Sequence, residues 1–183
     1  YFFMKKFCIT FLMSGIIILS AIGLCMGGFG GSASANTEYL RIHIRANSNS
    51  GEDQAVKYIV RDAVVEFLTP LVAEAETKEE AISLMNENLS GIERCADEVL
   101  RAHGFSYGAK ARLTEEEFPT RVYGEYTLEA GVYQALILAL GTGTGDNWWC
   151  VVYPPLCFAG QPGDNVIYKS KIKEIIDRWK AGH

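Results

Sequence analysis

A covalent nucleophile and a base to activate it are the first chemistry to look for in this chain of 183 residues. Cys150, between Trp149 and Val151, would attack an electrophile if His43 took its proton and Asn47 or Asp53 oriented the imidazole. Cys157 offers that thiol another fate. It lies seven positions on, across Pro154-Pro155, and an oxidising compartment would let the pair close a small ring. Such a ring would stabilise by roughly 2–3 kcal/mol through lost unfolded-state entropy. A disulfide, a reactive thiol and two free buried cysteines are all compatible with the sequence; Cys95, on the apolar side of a helix, reads as core. Other chemistries find less support. His43, His103 and His183 are the only histidines, and there is neither HExxH nor a pair of CxxC motifs, so no metal and no cofactor is expected. Gly141-Thr142-Gly143-Thr144-Gly145 lacks the Lys-Ser/Thr of a phosphate loop and leads into strand-like Asn147-Trp148-Trp149, which predicts a glycine-rich hairpin or bulge. Trp148, Trp149 and Tyr153 could form a platform for a sugar or peptide, although strand alternation sends the two tryptophans to opposite faces.

These residues must be positioned by regular elements, and the hydrophobic pattern names them. Leu40, Ile42, Ile44 and Ala46 alternate with Arg41, His43 and Arg45, the pattern of a half-buried strand. Ser50 followed by Asp53 is a helix-start signal, and apolar residues then recur at the helical period until the pattern fades near Pro70, giving a helix from about Glu52 to Leu68. Thr77 with Glu80 opens a second helix, whose inward set is Ala81, Met85, Leu89, Ile92, Cys95, Ala96, Val99 and Leu100, and Gly104 stops it. Strand-like pieces follow at Tyr107 to Leu113, Val122 to Leu128, Val132 to Leu140 and Asn147 to Tyr153. Residues 160–183 read as a linker and a final amphipathic helix from Tyr168 to Trp179, rich in lysine, which would close over the sheet or touch an anionic membrane. The order predicts an α+β fold: a strand, two amphipathic helices, then a mainly antiparallel sheet with helices packed on one face, and a C-terminal helix.

Residues 4–35 stand apart. Twenty uncharged residues from Phe7 to Met26 follow Lys5 and Lys6, and Ala33-Ser34-Ala35 supplies a cleavage triplet, so the segment reads as a signal peptide or an N-terminal membrane anchor. Either leaves residues 36–159 as a single domain outside the cytosol, with membrane contact through the leader. Without the leader the chain carries 15 basic against 22 acidic residues, a net charge of −7. That balance suits a soluble exported domain and argues against a nucleic-acid partner.

Several blocks together resemble one family. They are His43-Ile44-Arg45-Ala46-Asn47-Ser48, then Glu52-Asp53-Gln54 with Lys57, then Val60-Arg61-Asp62-Ala63-Val64 and Phe118-Pro119-Thr120-Arg121 with Tyr123-Gly124. Ala130-Gly131, Tyr133-Gln134-Ala135-Leu136, Gly145 and the long run Asn147 to Phe158 complete the set. From about Leu40 to Phe158 the chain is similar to stage II sporulation protein R of endospore-forming Firmicutes.

The resemblance implies a function that periodicity and charge do not show. Members are signalling proteins exported from the forespore into the intermembrane space, where they trigger a membrane-embedded aspartic protease, stage II sporulation protein GA. That protease processes pro-sigma-E in the mother cell. The resemblance thus implies a protease activator without enzymatic activity of its own. An extracytoplasmic thiol-dependent hydrolase and a peptidoglycan-binding module are the alternatives. An exposed edge of Arg41, His43, Arg45 and Asn47, with the outward ring of Trp148 or Trp149, is the expected receptor contact, since Arg and Trp are frequent interface anchors.

Overall fold

The computed structural model describes residues 38–123, 126–158 and 166–182; the leader and the linker at 159–165 lie outside them. The chain runs β1 (Leu40–Arg45), α1 (Gly51–Glu74), α2 (Lys78–Glu87), α3 (Leu89–Ala102), β2 (Ala109–Phe118), β3 (Arg121–Tyr123), β4 (Tyr126–Leu128), β5 (Gly131–Leu140), β6 (Asn147–Tyr153) and α4 (Val166–Gly182). Four strands form one sheet in the order β2-β5-β1-β6, and β3 pairs with β4 in a small antiparallel ribbon. β1 runs parallel to β5, while β6 on β1 and β2 on β5 are antiparallel. The fold is α+β with a mainly antiparallel sheet and a C-terminal helix, as the element order predicts.

Period-two alternation divides the sheet into two chemically different faces. Leu40, Ile42, Ile44, Leu136, Leu138, Cys150 and Val152 bury with Val60, Val64, Leu68, Ile92 and Leu100 of the helices. Phe118, Leu128, Tyr133, Ala135, Ile137 and Val151 form a second cluster on the other face, together with Tyr123, Tyr126 and Trp149. Helices therefore cover one face and the β3–β4 ribbon contributes to covering the other.

Local boundaries move where burial outweighs propensity. α1 continues through Pro70 to Glu74, beyond the predicted stop at Leu68, and buries Val72 and Ala73 in doing so. A helix-interior proline costs about 3 kcal/mol, and tertiary packing of the last turn offsets it. The predicted second helix is two helices. Asn88 ends α2 and starts α3, with its amide Nδ2 donating to Leu84 O at 2.7 Å. Gly91 then passes against the Phe67 ring, where a Cβ would stand 2.8 Å from Cζ. The strand predicted to end at Leu113 runs on to Phe118, because β5 pairs with it along its whole length. The expected strand Val122 to Leu128 is the β3–β4 ribbon, its two middle residues lying outside the description.

Candidate functional site

The polar residues at the C-terminal end of β1 are held by a network centred on Asp53. Ser50 caps α1 by accepting from Asp53 N at 3.1 Å, as its spacing suggests. The Asp53 carboxylate turns the other way and accepts from Asn47 Nδ2 at 3.0 Å, from Ser48 Oγ and from the Tyr107 hydroxyl. Burial alone would raise this carboxyl, but the hydrogen bonds from Ser48, Tyr107, Asn47 and Ser50 together outweigh it and hold the group below the ordinary range. Burial likewise pushes the Tyr107 hydroxyl up and the Lys57 ammonium down. Lys57 Nζ donates to Gln54 Oε1 at 2.6 Å and to Asp146 O at 3.1 Å, tying α1 to the start of β6.

The glycine-rich loop is the other half of this network. It leads from β5 to β6, yet those strands lie on opposite sides of β1, so it crosses the end of β1 and is not the predicted hairpin. Thr142 N donates to Asn47 Oδ1 at 3.0 Å, and the Thr142 and Thr144 hydroxyls donate to Asn47 O at 2.7 and 3.0 Å. Gly145 comes so close to the Ser48 carbonyl that an added Cβ would lie 2.2 Å from its oxygen. Close approach thus explains Gly145, and a positive φ of 55° explains Gly141.

On the face away from the helices, His43, Arg45, Glu116, Glu117, Asn147, Trp149 and residues 143–145 line a cleft of about 350 Å³. His43 Nδ1 lies 2.7 Å from Glu116 Oε1, and Arg45 Nη2 donates to the same oxygen at 2.6 Å. His43 is 3% exposed, and its Nε2 has no hydrogen-bond partner among the described residues. Burial pushes this imidazole below its usual range, and the nearby Asn147 amide and Glu116 carboxylate restore it only in part. Trp149 stands between His43, at a ring separation of 5.3 Å, and Arg121, whose guanidinium lies 4.3 Å from the indole.

Arg41 is fully buried beside the same site. Its guanidinium sits 4.1 Å from the Phe118 ring and 4.8 Å from Tyr133, and Nη2 donates to the Tyr123 hydroxyl at 2.8 Å. Among the described residues Nε and Nη1 have no hydrogen-bond partner, and aromatic faces do what a carboxylate more often does for a buried cation.

These positions correct the expected exposed edge. β1 lies inside the sheet, so Arg41 and His43 are buried and only Arg45 and Asn47 keep partial exposure. Trp148 and Trp149 do take opposite faces, and Arg61 of α1 lies 5.6 Å from the Trp148 ring, with Tyr58 exposed next to it. Cys150 is bonded to Cys157, while Cys95 is a partly buried free thiol packed against the core. Cys150 also belongs to the helix-side core and His43 to the opposite face, which separates the nucleophile from the base supposed for it. Among the described residues no three His, Cys, Asp or Glu side chains are grouped to hold a metal ion, and no helix is long and apolar enough to cross a membrane. Glu116 and Tyr107 escaped the sequence reading. Glu116 sits in the run Glu115-Glu116-Glu117, which reads as a charged turn; its two-residue spacing from Phe118 was the available signal.

Residues 36–162 match the family model described as stage II sporulation protein R. Stage II sporulation protein R of Bacillus subtilis (strain 168) is 36% identical over 135 residues, covering 74% of this chain. The aligned part spans 60% of that relative's length. No solved structure matches.

Proposed function

The chain belongs to the stage II sporulation protein R family, and from that premise we propose that it is an exported sporulation signal that activates the membrane-embedded aspartic protease, stage II sporulation protein GA, and so drives pro-sigma-E processing in the mother cell. The observation that carries this reading is the extent of the family match, which takes in the whole sheet and the first three helices. The Cys150–Cys157 bond supports the exported part of it, because such bonds persist where the surroundings are oxidising. A ligand of this kind needs no reaction of its own. It activates by binding one arrangement of its receptor more tightly than another.

The expected site of work is the intermembrane space, reached through residues 4–35 as a cleaved signal or an anchor. Deleting those residues in sporulating cells, with the rest of the chain accumulating normally, should abolish cleavage of pro-sigma-E on an immunoblot. Full cleavage with the protein retained in the forespore cytosol would refute the proposal. Among the residues first grouped as a receptor contact, Arg45, Asn47, Trp148 and Trp149 remain partly exposed or exposed enough to be reached. Trp148→Ala tests the helix-side half of that surface without touching the cleft; unchanged cleavage in a folded, exported variant removes that half from the contact.

A further inference from the structure

The cleft at the end of β1 has a composition that receptor binding alone does not explain. Arg45 and Glu116 already form an ion pair at 2.6 Å, and exposed Glu117 adds a second carboxylate to the lining, so the cleft offers no spare positive charge to an anionic ligand. What it does offer is a mixed set of hydrogen-bonding groups on one wall. Glu116 accepts from His43 Nδ1–H, which places the lone pair of the neutral ring on Nε2, a buried acceptor with no hydrogen bond of good geometry among the described residues, although the Asn147 side chain lies near the ring. A buried acceptor left unmade costs free energy, and an apolar ligand would leave it so. Arg45 still has donors beyond Nη2, and the exposed Asn147 amide can donate and accept.

Adjacent donors and acceptors suit hydroxyl groups, because each hydroxyl donates and accepts from a single atom. The walls are also set in advance. Asn47 pins the glycine loop through Thr142 and Thr144, and Glu116 holds the imidazole and guanidinium together. The volume of about 350 Å³ falls at the low end of small-molecule sites and has room for a sugar ring.

We propose that this cleft binds a hydroxyl-rich, non-anionic ligand of saccharide chemistry, held by hydrogen bonds to His43 Nε2, Arg45 and Asn147. Trp149 supplies a wall and not an open stacking platform, since Arg121 and His43 lie against its ring. The proposal stands apart from protease activation, and each can fail while the other holds.

Amide and indole chemical shifts of the isotope-labelled residues 36–183 would be followed during titration with an N-acetylglucosamine tetramer, maltotetraose and tetra-alanine. At least one oligosaccharide should move the signals of His43, Arg45, Thr144, Asn147 and Trp149, with a dissociation constant in the roughly millimolar range expected when hydrogen bonds to water are exchanged for hydrogen bonds to protein. Asn147→Ala, at an exposed position, should weaken that binding about fivefold with no change in melting temperature. His43→Phe keeps a ring between Phe118 and Trp149 and should weaken it more. No shifts with either oligosaccharide, shifts that map outside the cleft, or equal shifts with tetra-alanine would each overturn the proposal.

Discussion

Asp53 shows how one side chain can hold a site without being part of its chemistry. The carboxylate organises Asn47, Ser48 and Tyr107, and through Asn47 it reaches the loop that forms one wall of the cleft. Its carboxyl is held below the ordinary value, so the ionised form is tighter in the folded protein than in the unfolded chain. That stabilisation is present above about pH 3.9 and is lost as pH falls through the lower folded value. Asp53→Asn should therefore cost on the order of 2–3 kcal/mol at neutral pH. Urea unfolding followed from pH 7 to pH 2 should show a flatter acid limb in the variant; an unchanged limb would mean that other carboxylates set it. Arg41 teaches a related lesson. Arg41, which forms no ion pair with a carboxylate among the described residues, is tolerated in the interior because Phe118 and Tyr133 face it and the Tyr123 hydroxyl accepts from it.

At the scale of the element, the loop from β5 to β6 holds the start of β6, and the disulfide ties its middle, at Cys150, to Cys157 beyond its end. Gly145 lies against the Ser48 carbonyl, and overpacking of this kind costs about 1–3 kcal/mol or more. Gly145→Ala should thus lower the unfolding midpoint clearly. Gly51, at the first turn of α1 with no atom within 4 Å of an added Cβ, is the matched control. Gly51→Ala should leave stability unchanged or raise it by about 0.5 kcal/mol through reduced unfolded-state entropy. The disulfide joins residues seven apart, and chain entropy assigns such a ring roughly 2–3 kcal/mol. Cys150→Ser, Cys157→Ser and the double change should all lose that amount, and equally. Residues 36–183 should show one free thiol, Cys95, when denatured without reductant; three free thiols would contradict the bond.

For the whole molecule, the decisive feature is a sheet buried on both faces around a central β1. The C-terminal helix adds to this on the helix side, where Ile175 is buried in the core and Ile176 packs against it. Ile175→Ala should cost about 2 kcal/mol by removing buried apolar volume, measured as a lower urea midpoint for residues 36–183. An unaffected midpoint would show that burial of Ile175 contributes nothing to stability. Much of this arrangement was legible in the chain itself. Alternation placed Leu40, Ile42 and Ile44 opposite Arg41, His43 and Arg45, Ser50 and Thr77 marked helix starts, and the tryptophans separated as their adjacency required. Those features depend on contacts a few residues apart, whose geometry is set by the backbone period. The sequence by itself also carried the family, because its motif blocks survive as words in a line. Which strand lies beside which is not written locally. Only the folded sheet put β1 between β5 and β6, and so turned an expected solvent face into a buried one, parted Cys150 from His43, and brought Glu116 to within 2.7 Å of a histidine 73 residues away. Pairings over such distances are decided by the burial of both sheet faces together, and no local pattern contains that sum.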